Sequence, residues 1–356
     1  MVSSSGSAPP VPVLLRPAVR PLLDGADLAA VAARPDDVDA LLAWAGEVSG
    51  RLPLPGAGAT AALWSALASV AAADVGAARV LEPHLDALSI LAQAPAPVDL
   101  AAVGAGDGST WGVFAAEGPG VRLDARQGDG TWVLNGTKPW CSLAGSLSHA
   151  LVTAWVGADE RRLFAVDLRG HGVHPAAGPW VSRGLAQVVS APVSFDDTAA
   201  VPVGPSGWYL RRPGFAWGGI GVAACWWGGA VGLARALWEA VGRREPDQLA
   251  LAHLGAVDVA LGAARVCLAE AADLVDAGID GKPSAVLARR VRTVVAGAVE
   301  EVQRRCAHAL GPGPLTADER YARRVADLGV YVRQHHAERD EAALGRDLVA
   351  VGELPW

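Results

Sequence analysis

The stretch Gln334-His335-His336-Ala337-Glu338-Arg339-Asp340 sets two imidazoles side by side and follows them with two carboxylates. An imidazole titrates near neutral pH, so either histidine could move a proton, and Glu338, three residues beyond His335, could orient it. Glu338 or Asp340 could equally be the base itself. His336 and Asp340 have the i,i+4 spacing of two metal ligands, but no third ligand lies nearby, and no metal site is expected. The plainest reading is a solvated helix face, because the stretch is polar throughout and its spacings suit ion pairs. On a helix, residues 335 and 336 point about 100° apart, so only one could face a given cleft.

The elements that must carry such a site belong to a chain of 356 residues, 51 % hydrophobic and 19 % charged, enough to build a large core. A net charge of −7 with no basic block argues against nucleic acid. The four cysteines, Cys141, Cys225, Cys267 and Cys306, are far apart and form no CxxC pair. That is neither a zinc pattern nor a disulfide framework, and it suits a cytoplasmic protein. "MVSSSGSAPPVPVLL" has no cationic segment followed by a long apolar core, so no signal peptide is expected. "FAWGGIGVAACWWGGAVGLA", residues 215–234, is uncharged and long enough to span a bilayer. It is Gly-rich and stands alone, and a buried core helix is the expected reading.

Residues 1–20 are Ser/Pro-rich and read as a loose arm. Residues 21–105 read as helical: "PDDVDALLAWAGEV" has apolar residues at helix spacing, and an Ala-rich run follows in which Pro83 marks a break. Residues 106–207 show short runs bounded by Gly and Asp, with turn signals at "GDG" and "NG", the pattern of about six strands. Residues 208–356 are helical again; Val291, Val294, Val295, Ala298, Val299 and Val302 fall on one face with arginines opposite. Thr316 reads as an N-cap with Glu319 completing a capping box.

Three collinear stretches carry a resemblance: "GDGTWVLNGTKPWCSLAGSLSHALVTA", "WWGGAVGLARAL" and "HALGPGPLTADERYARRVADLGVYV". They resemble the acyl-CoA dehydrogenases, from roughly Leu54 to Gly345. The resemblance implies an α+β fold with an N-terminal helical domain, a middle antiparallel β-domain and a C-terminal four-helix-bundle domain. It implies FAD between the last two, an acyl-CoA substrate dehydrogenated at its α,β bond, and an electron-transfer flavoprotein as acceptor. A homodimer or tetramer is expected, without a membrane span.

In that family a Trp-x-Thr/Ser run walls the isoalloxazine and sets a hydroxyl near its reactive nitrogen, which places Trp140, Cys141 and Ser142 at the flavin. Core packing and a turn are the plain alternatives. The family's flavin loop corresponds to "GVFAAEGPGVRLDA", with Ala116 in place of its Thr and Glu117 and Gly118 following. The loop is shortened, and its backbone N–H groups are what could still serve, or it is an ordinary turn. An arginine that reaches the pyrophosphate matches Arg244, with Arg243 an equal candidate, and a Gly-rich turn matches Gly311 and Gly313, with His308 in place of Gln. The family's catalytic glutamate falls on His335, and the alternative origin in the long helix, "GGIGVAACWW", holds no carboxylate. Three functions follow: a dehydrogenase with a non-standard base, a same-fold monooxygenase or oxidase, or a catalytically incomplete subunit of a heteromer.

Overall fold

The structure, a computed structural model, describes residues 10–352 except 129, 177 and 244. The chain opens with four helices, α1 (Gly25–Ala32), α2 (Val38–Ser49), α3 (Thr60–Ala73) and α4 (Val75–Ala92). Asp24, Asp37 and Asp74 cap the starts of α1, α2 and α4 by accepting backbone N–H bonds that the helices cannot satisfy themselves. Helix α4 runs through Pro83 without ending. Proline there removes one N–H, the donor to the carbonyl of Arg79, and packing outweighs that loss. The expected loose arm is also partly tied down: Val13 and Leu15 are buried, and their N–H groups donate to Ser69 Oγ (2.8 Å) and Ser65 Oγ (3.0 Å) on α3. Residues 1–9 of that arm lie outside the described residues.

Seven strands follow: β1 (Trp111–Phe114), β2 (Leu123–Gly128), β3 (Thr131–Ser142), β4 (His149–Trp155), β5 (Arg161–Asp167), β6 (Val173–Pro175) and β7 (Ser190–Val203). The long pair β3–β7 is antiparallel, as are β2–β3, β4–β5, β5–β7 and β6–β7. Strand β1 runs parallel to β4, and one parallel pair, Asp124 with Trp155, joins β2 to β4. The pairings β2–β3–β7–β5–β4–β2 therefore close on themselves, which leaves no long free edge among the described residues.

The C-terminal part holds α5 (Trp208–Arg211), α6 (Pro213–Gly242), α7 (Gln248–Asp276), α8 (Gly281–Leu310), α9 (Gly313–Ala317), α10 (Glu319–Tyr331) and α11 (Glu338–Val351). Helices α6, α7, α8 and α10 form the bundle, and α6 also packs on α3. The close α3–α6 crossing needs small residues. A Cβ on Gly228 would lie 2.1 Å from the carbonyl oxygen of Ala68. Helix α6 is the uncharged stretch noted above, and most of its apolar length is buried, as expected of a core helix. Two arginines of α10 tie the layers together: Arg324 donates to the carbonyls of Ala72 (2.7 Å) and Ala73 (3.0 Å), and Arg323 pairs with Asp36. Thr316 is not a helix cap; its hydroxyl donates to Pro312 and Gly313 carbonyls, and Asp318 caps α10 through Tyr321 N.

Candidate active site

A cleft of about 720 Å³ separates the strands from helices α4 and α10. Its strand wall carries Ala116, Trp140, Ser142 and Ser190; its helix wall carries Arg79, Glu82, Tyr331 and His336. A register shift in β3 between Lys138 and Cys141 sets these directions. Cys141 turns into the core, where burial pushes its thiol up to about 12, while Ser142 returns to the cleft. Trp140 has φ 57° and is 60 % exposed. A bulky residue held at positive φ is strained, and such strain gathers at functional sites.

Helix α4 brings the charge. Arg79, Glu82 and Asp86 lie at i, i+3 and i+7, one face of the helix. Arg79 Nη2 donates to Ser142 Oγ at 3.1 Å, and the hydroxyls of Ser142 and Ser190 are 2.7 Å apart. Its guanidinium lies over the Tyr331 ring, 5.3 Å from the centroid, and reaches Glu82 Oε2 at 3.4 Å. Burial raises the Glu82 carboxyl to about 7, with Asp86 adding to the rise and Arg79 and Arg292 opposing it. Asp86 is bonded to Arg212 at 3.2 Å; burial outweighs that pairing and raises its pKa too. The buried Tyr331 hydroxyl has no hydrogen-bond partner among the described residues other than the neighbouring Cys225 thiol.

A second cleft, about 450 Å³, lies between α6, α8 and the link from α10 to α11, and is lined by Arg212, Phe215, Arg289, Arg292 and His335. Glu82, Asp86, Tyr209, Gln334 and His336 line both clefts, so the two meet at the charged face of α4.

The histidines occupy that link, not a helix face. The chain leaves α10 through a short tight turn, His335 is extended, and Ala337 adopts φ 47° before α11 begins. His335 is buried, hydrogen-bonds Thr293 Oγ1 at 3.0 Å, and has its pKa lowered by desolvation, which Asp340 opposes. His336 is largely exposed and pairs with Asp340 at 3.4 Å. Glu338 starts α11 and lines neither cleft.

Of the loop candidates Ala116, Glu117 and Gly118, only Ala116 lines the first cleft. Glu117 turns to Lys138 Nζ (2.5 Å) and Arg161 (3.1 Å); burial pushes its carboxyl up, but these two cations outweigh it and hold it low. Gly118 packs against Pro139, where an added Cβ would come within 3.1 Å. Gly311 and Gly313 form the turn between α8 and α9 and line neither cleft. Arg244 lies outside the described residues, and Arg243 closes the C-terminus of α6. Sequence reasoning missed Arg79 and Glu82. The spacing Arg-x-x-Glu-x-x-x-Asp puts all three on one helix face, a pattern that a surface ion pair also gives.

No protein-family model matches the chain, and no curated protein does. Solved structures do. KijD3, in complex with FMN and dTDP-3-amino-2,3,6-trideoxy-4-keto-3-methyl-D-glucose, is 22 % identical over 96 % of this chain and 95 % of its own, with a TM-score of 0.79. Dibenzothiophene monooxygenase (TdsC) from Paenibacillus sp. A11-2 is 17 % identical over 93 % and 98 %, TM-score 0.72. Butyryl-CoA dehydrogenase from Megasphaera elsdenii is 17 % identical over 91 % and 98 %, TM-score 0.72. At these identities the likeness is one of fold.

Proposed function

Because the chain is a divergent member of the acyl-CoA dehydrogenase fold, we propose that it is a flavin-dependent oxidoreductase whose cofactor lies in the cleft walled by Trp140 and Ser142. The residues present fit such a group. Trp140 offers an uncovered indole face, Ser142 a hydroxyl backed by Arg79, and Tyr331 a buried hydroxyl that lacks an oxygen or nitrogen partner. A bound flavin supplies two-electron redox chemistry and, once reduced, reaction with dioxygen. The protein's share is to hold the ring against the indole, keep water out, and set polar groups at its edge.

The reading supported best is oxygen-dependent, a monooxygenase or oxidase acting on a small molecule bound in the second cleft. The observation that carries it is the lack of a carboxylate at both places where the resemblance expects the base. His335 stands at one, bonded to Thr293, and the α6 stretch from Gly218 to Trp227 has none. The complexes of KijD3 and of TdsC with FMN support FMN as the cofactor. FAD is the alternative if a second copy completes the site. One observation favours the dehydrogenase reading: Glu82 sets a carboxylate at the junction of the clefts. In that case an acyl-CoA thioester would be the substrate and an electron-transfer flavoprotein the acceptor.

Helix α7 supports an oligomer. Leu249, Leu251, Val259 and Val266 on it are exposed, an apolar face suited to a second copy or to a related chain in a heteromer. A monomeric mass by light scattering would count against this.

The deciding experiment is the visible absorption spectrum with added FMN and with added FAD. A protein that stays colourless with both defeats the flavin reading. If flavin binds, substrate-dependent oxygen uptake with reduced flavin supports the oxygenase, whereas anaerobic bleaching by butyryl-CoA supports the dehydrogenase.

A further inference from the structure

We propose that Glu82, presented by α4 where the two clefts meet, is the group that exchanges a proton with the bound substrate. The inference rests on the assignment of the two clefts to flavin and substrate, and adds the residue that handles the proton.

The geometry singles Glu82 out from the other acids and histidines near the junction, of which Asp340 lines the second cleft alone. A substrate lodged in the second cleft and reaching toward the first must pass the face of α4 on which Glu82 and Asp86 lie. Asp86 is held by Arg212, which also donates to Gln93, so this carboxylate is fixed to the scaffold. His335 is committed to Thr293, and His336 to solvent and Asp340. Among the described residues Glu82 has one hydrogen-bonded cation, Arg79, at 3.4 Å, a long contact that leaves most of its acceptor capacity unused. A buried structural carboxylate is ordinarily held by a hydrogen bond of normal length. Glu82 is not.

The groups around it suit proton exchange. Arg79 and Asp86 face it along α4, Arg292 from α8, Cys225 from α6, Tyr331 from α10 and Tyr209 from α5. Two arginines oppose the burial and the Asp86 charge, and the carboxyl comes to rest at about 7. A base works best when its pKa is close to the working pH. The step is a single proton transfer: a substrate X–H gives its proton to Glu82 Oε and keeps the bonding pair, the carboxylate becomes the acid, and no redox partner is needed. Arg79 joins this carboxylate to Ser142 on the opposite wall, so the proton site and the flavin wall share one guanidinium.

The test needs no substrate. The carboxylic C=O band is followed by infrared pH titration of the wild type, Glu82→Gln, Glu82→Asp and Asp86→Asn, with and without saturating FMN. The expected result is a band titrating near 7 that is lost in Glu82→Gln, persists in Asp86→Asn, and moves its midpoint when FMN fills the adjoining cleft. Glu82→Asp should retain a titrating band, which separates loss of the carboxyl from loss of the fold. No Glu82-dependent band near neutral pH overturns the proposal. So does a midpoint indifferent to bound FMN, which would set Glu82 apart from the reacting centre. FMN binding is read separately from the visible spectrum. If none binds, the flavin reading falls, and the titration of the protein alone still decides whether Glu82 is poised to exchange a proton.

Discussion

The charged face of α4 and the link between α10 and α11 border the same junction, but water reaches them differently. Glu82 is buried and its carboxyl is raised to about 7, whereas His336 stands in solvent and His335, buried behind it, has its pKa lowered. Desolvation is the leading cause in both buried groups and disfavours the charged form in each: the anion of Glu82 and the cation of His335. The two sites therefore give stability opposite pH dependences. A carboxyl with a raised folded pKa contributes stability that is fully present below its ordinary 4.5 and is lost as pH rises toward about 7. A histidine with a lowered folded pKa contributes stability that is present above its ordinary 6.5 and is lost as pH falls. Burial is common to both; whether the charged form is an anion or a cation sets which way each one leans.

The sharpest way to break this contrast is Arg79→Ala. It removes the cation beside Glu82, the donor to Ser142 and the partner over the Tyr331 ring. Loss of one member of a buried pair costs about 3–5 kcal/mol. Denaturant unfolding should show that loss at pH 8 and a smaller one at pH 6, where Glu82 can take up a proton. Equal losses at both pH values would mean that Glu82 does not titrate in this range. Next in size is Glu82→Gln, which should flatten the wild-type decline in stability between pH 4.5 and about 7. That decline is on the order of 3 kcal/mol from a shift of this size. A parallel slope in the variant would assign the decline to another group.

A smaller effect is expected from His335→Ala, which leaves the Thr293 hydroxyl without its partner and should cost about 1 kcal/mol above pH 7. The difference should shrink at pH 5, where the wild type loses the histidine's contribution. His336→Ala should stay within about 0.5 kcal/mol, as for most exposed positions. A larger loss would show that the link is held by that side chain after all.

Legibility in the sequence follows the range of the interactions concerned. The helical, strand and helical regions were readable because period and turn residues are local. Trp140 and Ser142 were singled out through the resemblance, carried by one contiguous run of residues that forms the end of β3. Glu82 was not. Arg79 and Glu82 at i,i+3 read like any surface pair, and only the packing of α4 against β1, residues 111–114, turns that face into a cleft wall. Glu117 was assigned to the cofactor because its partners, Lys138 and Arg161, lie 21 and 44 residues away. The break at His335–Ala337 was also hidden, since an alanine held at φ 47° carries no mark in the sequence.

Arg324 closes the C-terminal end of α3 by bonding two of its last carbonyls from 252 and 251 residues further along the chain. Helix α3 is buried over nearly its whole length, in large part under α6. During synthesis, at about 5–20 residues per second, roughly 13–50 s separate the emergence of α3 from that of the arginine that caps it. For much of that interval the ribosome displays an apolar Ala-rich helix without its cover, and for all of it the final turn is unsecured. Helix α3 is thus made well before the contacts that finish it. Nascent chains truncated before α6 are expected to aggregate or to engage chaperones, while chains released after α10 are not.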